Sequence, residues 1–188
     1  CLPVLQFVNG SRMRIISGKY RGKRILPPSG FSARPTTDFA KESLFNILAN
    51  SYDFEELRVL DIFSGTGGIS YEFASRGCKV IDAVEINPQH LAFIKHMAKE
   101  LKLDQLHVIR NDAFKFLDFC KVSYDIIFAD PPYAFDNLEL ILNIVFTRKL
   151  LNKNGILILE HSDSNDFSEN DHFFDMRHYG GVNFSFFK

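Results

Sequence analysis

From Arg58 to Glu160 the chain alternates between short apolar runs of strand character and amphipathic stretches with helical spacing. Few folds accept that order. The strand-like runs cover 58–63, 79–85, 106–110, 124–130 and 155–160, and helical patterns fall between them at 68–76, 88–102, 113–119 and 136–150. Apolar strands interleaved with helices predict βαβ units, and hence a parallel sheet covered on both faces. The end of the chain departs from this. Phe173–Tyr179 and Val182–Phe187 alternate in polarity around Gly180-Gly181 and read as an antiparallel hairpin. The expected fold class is therefore α/β, a mostly parallel doubly wound sheet that closes with an antiparallel hairpin.

Ahead of the alternation lies a basic stretch. Residues 12–34 carry seven of the 22 Lys and Arg (Arg12, Arg14, Lys19, Arg21, Lys23, Arg24 and Arg34) and no acid, leaving 15 basic against 23 acidic side chains elsewhere. A concentrated basic arm on an acidic body predicts a phosphate-binding footprint. Arg14–Gly18 and Lys23–Leu26 read as two short strands around a turn from Gly18 to Gly22. Pro27-Pro28 and Ser29-Gly30 end that unit as a linker. A helix then starts with Thr36 or Thr37 as its cap, Asp38 in its first turn, and Ala40, Leu44, Ile47 and Leu48 on its apolar face.

The 188 residues suit one domain, 13–188, with the arm and linker at 13–34 and the core at 35–188. Residues 1–12 have no basic region before an apolar core, which argues against a signal peptide, and because Met13 opens a segment with its own pattern they read as an added or upstream extension with no part in function. No apolar run reaches the roughly 20 residues a membrane span needs. Three cysteines without C-x-x-C spacing suggest free thiols in a reducing, cytoplasmic setting, and six scattered histidines suggest no metal site.

The residues with chemical promise sit where strands end. The run Asp125–Ala129 delivers Asp130, and Pro131-Pro132 then stops the strand before Tyr133. Proline lacks an N–H and fixes φ, so a rigid corner presents a carboxylate, a carbonyl and a ring face together. Such a corner suits a flat, amine-bearing group. After Val59–Phe63 comes Ser64-Gly65-Thr66-Gly67-Gly68, a glycine turn leading into a helix that lets backbone approach a ligand. The third glycine of a dinucleotide fingerprint falls at Ser70, and Asp61 stands where such a site has an apolar residue. Glu85, 20 residues after Gly65, suits ribose hydroxyls of NAD or of S-adenosylmethionine alike. Asp112, between Asn111 and Ala113-Phe114, offers an acceptor for an adenine amine.

Taken together, the chain from Met13 onward resembles the Rossmann-like, class I S-adenosylmethionine-dependent methyltransferases. More closely, it resembles the bacterial small-subunit ribosomal RNA guanine-N2 methyltransferase family (RsmD type). The resemblance rests on Arg14-Ile15-Ile16-Ser17-Gly18-Lys19-Tyr20-Arg21-Gly22, on Arg34-Pro35-Thr36-Thr37-Asp38 with Glu42-Ser43-Leu44-Phe45-Asn46, on the Asp61 loop and on the Asp130 corner. It implies that Asp61 and the Gly65–Gly67 loop meet the methionine part of the cofactor, with Thr36 and Thr37 near its carboxylate. It further implies that Glu85 takes the ribose, Asp112 the adenine, and Phe63, Ile86 and Ala113 the surrounding wall. Asp130, Pro131, Pro132 and Tyr133 would hold the target base. Arg14, Lys19, Arg21, Lys23, Arg24 and Arg34 would grip RNA phosphates. The implied partner is ribosomal RNA, within the small subunit, bound by a monomer without metal or membrane. Three readings compete with this one. DNA adenine-N6 or another amine could be the target. An NAD-dependent oxidoreductase is opposed by Ser70, by Asp61 and by the lack of an evident proton donor. A non-catalytic RNA-binding module is opposed by the intact corner.

Overall fold

The computed structural model describes residues 13–28, 36–132, 135 and 137–188. Two strands, β1 (Met13–Arg14) and β2 (Arg24–Ile25), pair antiparallel ahead of helix α1 (Asp38–Ala49). The alternation follows: β3 (Arg58–Ile62), α2 (Gly68–Ser75), β4 (Val80–Glu85), α3 (Pro88–Glu100), β5 (Leu106–Arg110), α4 (Ala113–Phe119), β6 (Tyr124–Ala129), α5 (Leu138–Thr147) and β7 (Leu151–His161). β8 (Phe173–Tyr179) and β9 (Val182–Phe187) close the chain.

The seven-stranded sheet runs β5-β4-β3-β6-β7-β9-β8, parallel from β5 to β7 and antiparallel over its last two pairings. Strand order reverses between β3 and β6, and a crevice opens beyond the carboxyl ends of the strands at such a switch point. The period-2 pleat sorts the core into two layers. Val59, Ile81, Ile126, Phe128 and Ile158 face α1, α2 and α3. Leu60, Ile62, Val84, Ile127 and Leu157 face α4 and α5.

Two elements differ from the sequence expectation. β7 begins at Leu151, four residues early, because a register shift at Tyr124/Ile126 lets Leu151 pair with Tyr124 around Gly155. A Cβ at Gly155 would stand 2.8 Å from the Tyr124 carbonyl, so only glycine passes there. The basic arm forms strands of only two residues. Its amides go elsewhere. Ile16 and Ser17 donate to the two carboxylate oxygens of buried Glu72, at 2.7 and 3.0 Å. Lys19 donates to the Ser75 carbonyl at 2.7 Å and Tyr20 to the Ser75 hydroxyl at 2.9 Å. The arm is thus docked on α2 and has few amides left for a longer ladder. No described helix is long and apolar enough to cross a membrane.

Candidate active site

A cleft of about 400 Å³ opens at the switch point, within the size range of small-molecule sites. Its walls bring together Thr36, Asp61, Phe63, Gly65, Glu85, Ile86, Asp112, Ala113, Asp130, Pro131 and Pro132. Thr37 is instead the cap of α1, its hydroxyl accepting from the Ala40 amide at 3.2 Å. Gly67 sits at φ +85, with the Tyr71 ring 2.7 Å from where a Cβ would be, so its glycine is explained by helix packing. Tyr133 and Arg34 lie outside the described residues. Phe135 stacks on Phe114 at 5.0 Å, which occupies one of its faces.

Each of the five parallel strands brings an acid to the cleft at or near its carboxyl end. Asp61 on β3 is buried and accepts the Ser70 hydroxyl at 2.5 Å. That bond gives Ser70 a task glycine could not perform. Burial, with a further push from Glu85 and against the Ser70 bonds, raises the Asp61 carboxyl from 3.8 to about 7. Glu85 closes β4 and ties two loops together. One oxygen accepts from the Gly65 amide at 2.8 Å, the other from the Asn87 amide at 2.7 Å, and His90 stands 3.9 Å away. A carboxylate can accept about four hydrogen bonds, so Glu85 keeps capacity for a ligand's hydroxyls. Asp112 caps α4 through the Lys115 amide at 3.0 Å while it lines the cleft. Asp130 follows β6 at the floor, where burial and the charges of Glu160 and Asp61 push its carboxyl well above the usual range.

Among the cleft residues that escaped the sequence reading, two carry charge deep in the wall, Glu160 and Lys41. Glu160, near the end of β7, is buried and accepts the Thr36 hydroxyl at 2.7 Å. The signal was present, since Ile156–Leu159 is another apolar run ending in an acid. Lys41 is only 3% exposed and lies on the buried stripe of α1 with Leu44, Phe45 and Leu48. A lysine on an apolar stripe is itself a signal. Its ammonium donates to the Arg14 carbonyl at 2.5 Å and stands 3.7 Å from Asp38, and burial lowers its pKa. Five acids (Asp61, Glu85, Asp112, Asp130 and Glu160) thus face one lysine across the cleft. Such a wall suits a ligand with cationic groups and a single carboxylate, and it disfavours a pyrophosphate.

The basic arm starts at the cleft rim, where Met13 lines the wall. Arg14 is paired with Asp38 at 3.3 Å and Lys23 with Glu100 at 2.9 Å, while Lys19, Arg21 and Arg24 are exposed. Lys19 lies over the Tyr20 ring at 5.2 Å.

The raised Asp61 carboxyl has a consequence for stability. Between pH 3.8 and about 7 the folded chain keeps a proton that the unfolded chain has lost. Stability relative to Asp61→Asn should therefore fall with rising pH across that window, by about 1.4 kcal/mol per unit at most, and level off above it. Urea denaturation of both proteins over a pH series measures this. A difference independent of pH would mean that Asp61 is ionised in the fold throughout.

The family model described as "Conserved hypothetical protein 95" matches residues 13–188. The chain is 32% identical, over 152 residues, to Ribosomal RNA small subunit methyltransferase D of Buchnera aphidicola subsp. Baizongia pistaciae; the match covers 81% of this chain and 77% of that one. It is also 32% identical, over 157 residues, to the protein of the same name from Escherichia coli strain K12, covering 82% and 77%. Among solved structures, a hypothetical protein of Thermus thermophilus superposes with a TM-score of 0.83 at 26% identity, over 94% of this chain and 99% of that one.

Proposed function

Because the chain belongs to the conserved hypothetical protein 95 (RsmD) family, we propose that it transfers a methyl group from S-adenosylmethionine to a guanine N2 amine of small-subunit ribosomal RNA. The observation that carries this reading is the convergence of acid-ended strands on one cleft, with the Asp130-Pro131-Pro132 corner at its floor. The donor set fits the cofactor. Glu85 would take the ribose hydroxyls and Asp112 the adenine amine, with Phe63, Ile86 and Ala113 as wall. Asp61 and the Gly65 turn would meet the methionine ammonium and Lys41, beside Thr36, its carboxylate. The acidic surroundings suit a sulfonium. Bound there, S-adenosylmethionine supplies an electrophilic methyl group.

The chain's own task is to present the amine. The lone pair of a guanine N2 amine is delocalised into the ring, so the nitrogen is a poor nucleophile. Hydrogen bonds from its two N–H groups to the Asp130 carboxyl and the Pro131 carbonyl would favour a pyramidal nitrogen with its lone pair directed at the methyl carbon. Acceleration then comes from orientation and from acceptors that meet positive charge as it grows on nitrogen. Pro131 and Pro132 hold those acceptors rigid. Tyr133, next in sequence, is the ring this reading assigns to stack on the base. Arg14, Lys19, Arg21, Lys23 and Arg24 would grip phosphates beside the cleft without reading sequence, and Arg34 belongs to the same assignment. The reading takes the assembled small subunit as substrate, a single 13–188 domain as the working unit and the cytoplasm as its place.

The test is methyl transfer from radiolabelled S-adenosylmethionine to small subunits that lack the modification, followed by nucleoside analysis. Label in N2-methylguanosine is the expected result. Label in N6-methyladenosine would move the target to an adenine, and no label at all would remove this substrate.

A further inference from the structure

Asp130 and Glu160 stand at neighbouring strand ends. Ala129 of β6 pairs with Leu159 of β7 in parallel register, so the residue after each lies across a strand spacing of about 4.8 Å. The pleat puts both on the face of Phe128 and Ile158, beneath the start of α1, and both line the cleft. Asp61 pairs with Phe128 one strand further in and shares that face. Glu160 is 6% exposed and holds the Thr36 hydroxyl, which places it under the α1 entrance. Two carboxyls at neighbouring strand ends, one buried and one half-buried, resist carrying two charges, and they titrate as a pair.

From this geometry we propose that Glu160 sets the protonation of Asp130: the two carboxyls hold one proton between them in the waiting site and accept a second from the methylated amine. Glu160 acts through Asp130, as a positioning residue. The chemical half of the proposal rests on the methyl-transfer reading. As the nitrogen lone pair forms the new N–C bond, the leaving sulfur keeps the electron pair of the bond it loses. The nitrogen then releases a proton, the N–H electrons return to nitrogen, and the proton goes to the carboxyl of the pair that is still ionised. With one proton already held, Asp130 can accept a hydrogen bond from the amine without a second full charge beside it. Other titratable groups lining the cleft with the pair are Asp61 of β3, Lys41 of α1, Glu85 of β4 with His90 of α3, and Asp112 at the start of α4. His161, next along β7, is engaged with Ser185 of β9 at 2.7 Å. Burial and the charges of Glu160 and Asp61 raise Asp130 in agreement with this arrangement.

Glu160→Gln tests the proposal, since it removes the charge and leaves an oxygen for the Thr36 hydroxyl. The first readout needs no cofactor: carbon-13 NMR titration of the aspartate carboxyls, with the Asp130 signal identified by its loss in Asp130→Asn. In the wild-type protein Asp130 should titrate well above the ordinary carboxylate range. Its midpoint should drop by about one pH unit or more in Glu160→Gln and stay raised in Glu160→Asp. A wild-type midpoint in the ordinary range, or one that Glu160→Gln leaves in place, overturns the proposal whether or not the protein methylates RNA. The second readout is the pH profile of methyl transfer. Glu160→Gln should lower turnover by about tenfold or more and abolish the alkaline limb, which in the wild-type protein follows the raised NMR midpoint as the shared proton is lost, while S-adenosylhomocysteine binds as before. A moved midpoint with an unmoved profile overturns the chemical half. A moved midpoint in a wild-type protein that transfers no methyl group supports the pair and removes the methyl-transfer reading.

Discussion

Replacing Asp130 by alanine removes methyl transfer by a factor of about 10³ or more, and S-adenosylhomocysteine still binds within a few-fold of the wild-type affinity. The split follows from placement. Asp130 lies at the floor of the cleft, past the end of β6, while Glu85 and Asp112 belong to the end of β4 and the start of α4. Losing the carboxyl removes an acceptor on which the amine's orientation depends, and it leaves the cofactor wall in place. The fold should not suffer. Desolvation and the charges of Glu160 and Asp61 hold the Asp130 carboxyl well above its usual range, which marks its charged form as a burden on the folded state near neutral pH. The alanine protein should therefore be at least as stable as wild type at pH 8. Single-turnover transfer, calorimetric binding of S-adenosylhomocysteine and a melting curve together decide it. Activity within tenfold of wild type would mean that Asp130 is not the amine's anchor.

Gly18→Val should undock the basic arm. Gly18 sits at φ +79, and a Cβ there would stand 1.9 Å from the Ser75 carbonyl oxygen, inside the atom itself. That carbonyl is also the acceptor for the Lys19 amide, so the turn cannot shift without giving up the bond. Left-handed strain costs about 1–2 kcal/mol and each buried partner left unsatisfied about 1–3 kcal/mol, for an expected loss of about 3 kcal/mol or more. Gly22→Ala is the control. Its φ of +81 imposes the same strain, but nothing lies within 4 Å of its Cβ, so about 1 kcal/mol is expected. Because Met13 lines the cleft, the valine protein should also bind S-adenosylhomocysteine more weakly. Equal losses at the two glycines in urea titrations would show that the close approach at Ser75 does not hold the arm.

The parallel sheet and most of the cleft wall were legible because both are local in sequence. Apolar runs that carry Asp61, Glu85 or Asp130 at or near their carboxyl ends state a strand and its functional tip in one stretch of chain. What stayed hidden depends on pairs far apart. Glu160 gains meaning only beside Asp130 and under Thr36, 124 residues away. Glu72 looks like one more surface acid of an amphipathic helix until the Ile16 and Ser17 amides are seen on its oxygens. The arm's strands were overestimated for the same reason, since alternation along 14–26 cannot show that α2 supplies the acceptors. Gly67 reads from the sequence as a ligand-approach glycine, and the Tyr71 ring four residues on adds a packing reason for it that the sequence does not show.

The way the arm is held bears on how this protein could be refitted. The bonds that fasten it to α2 use its main chain, and the side chains that add to its hold are Met13, Ile15 and Ile25 in the core, the Tyr20 hydroxyl on the Leu101 carbonyl, and the Arg14–Asp38 and Lys23–Glu100 pairs. For Lys19, Arg21 and Arg24, anchorage and outward chemistry are thereby written on different atoms. Lys19, Arg21 and Arg24 can be exchanged for side chains of another charge or shape while the fastening stays intact. The arm is a handle whose grip is replaceable, and the enzyme could be turned toward a different polyanion without touching the machinery of its cleft.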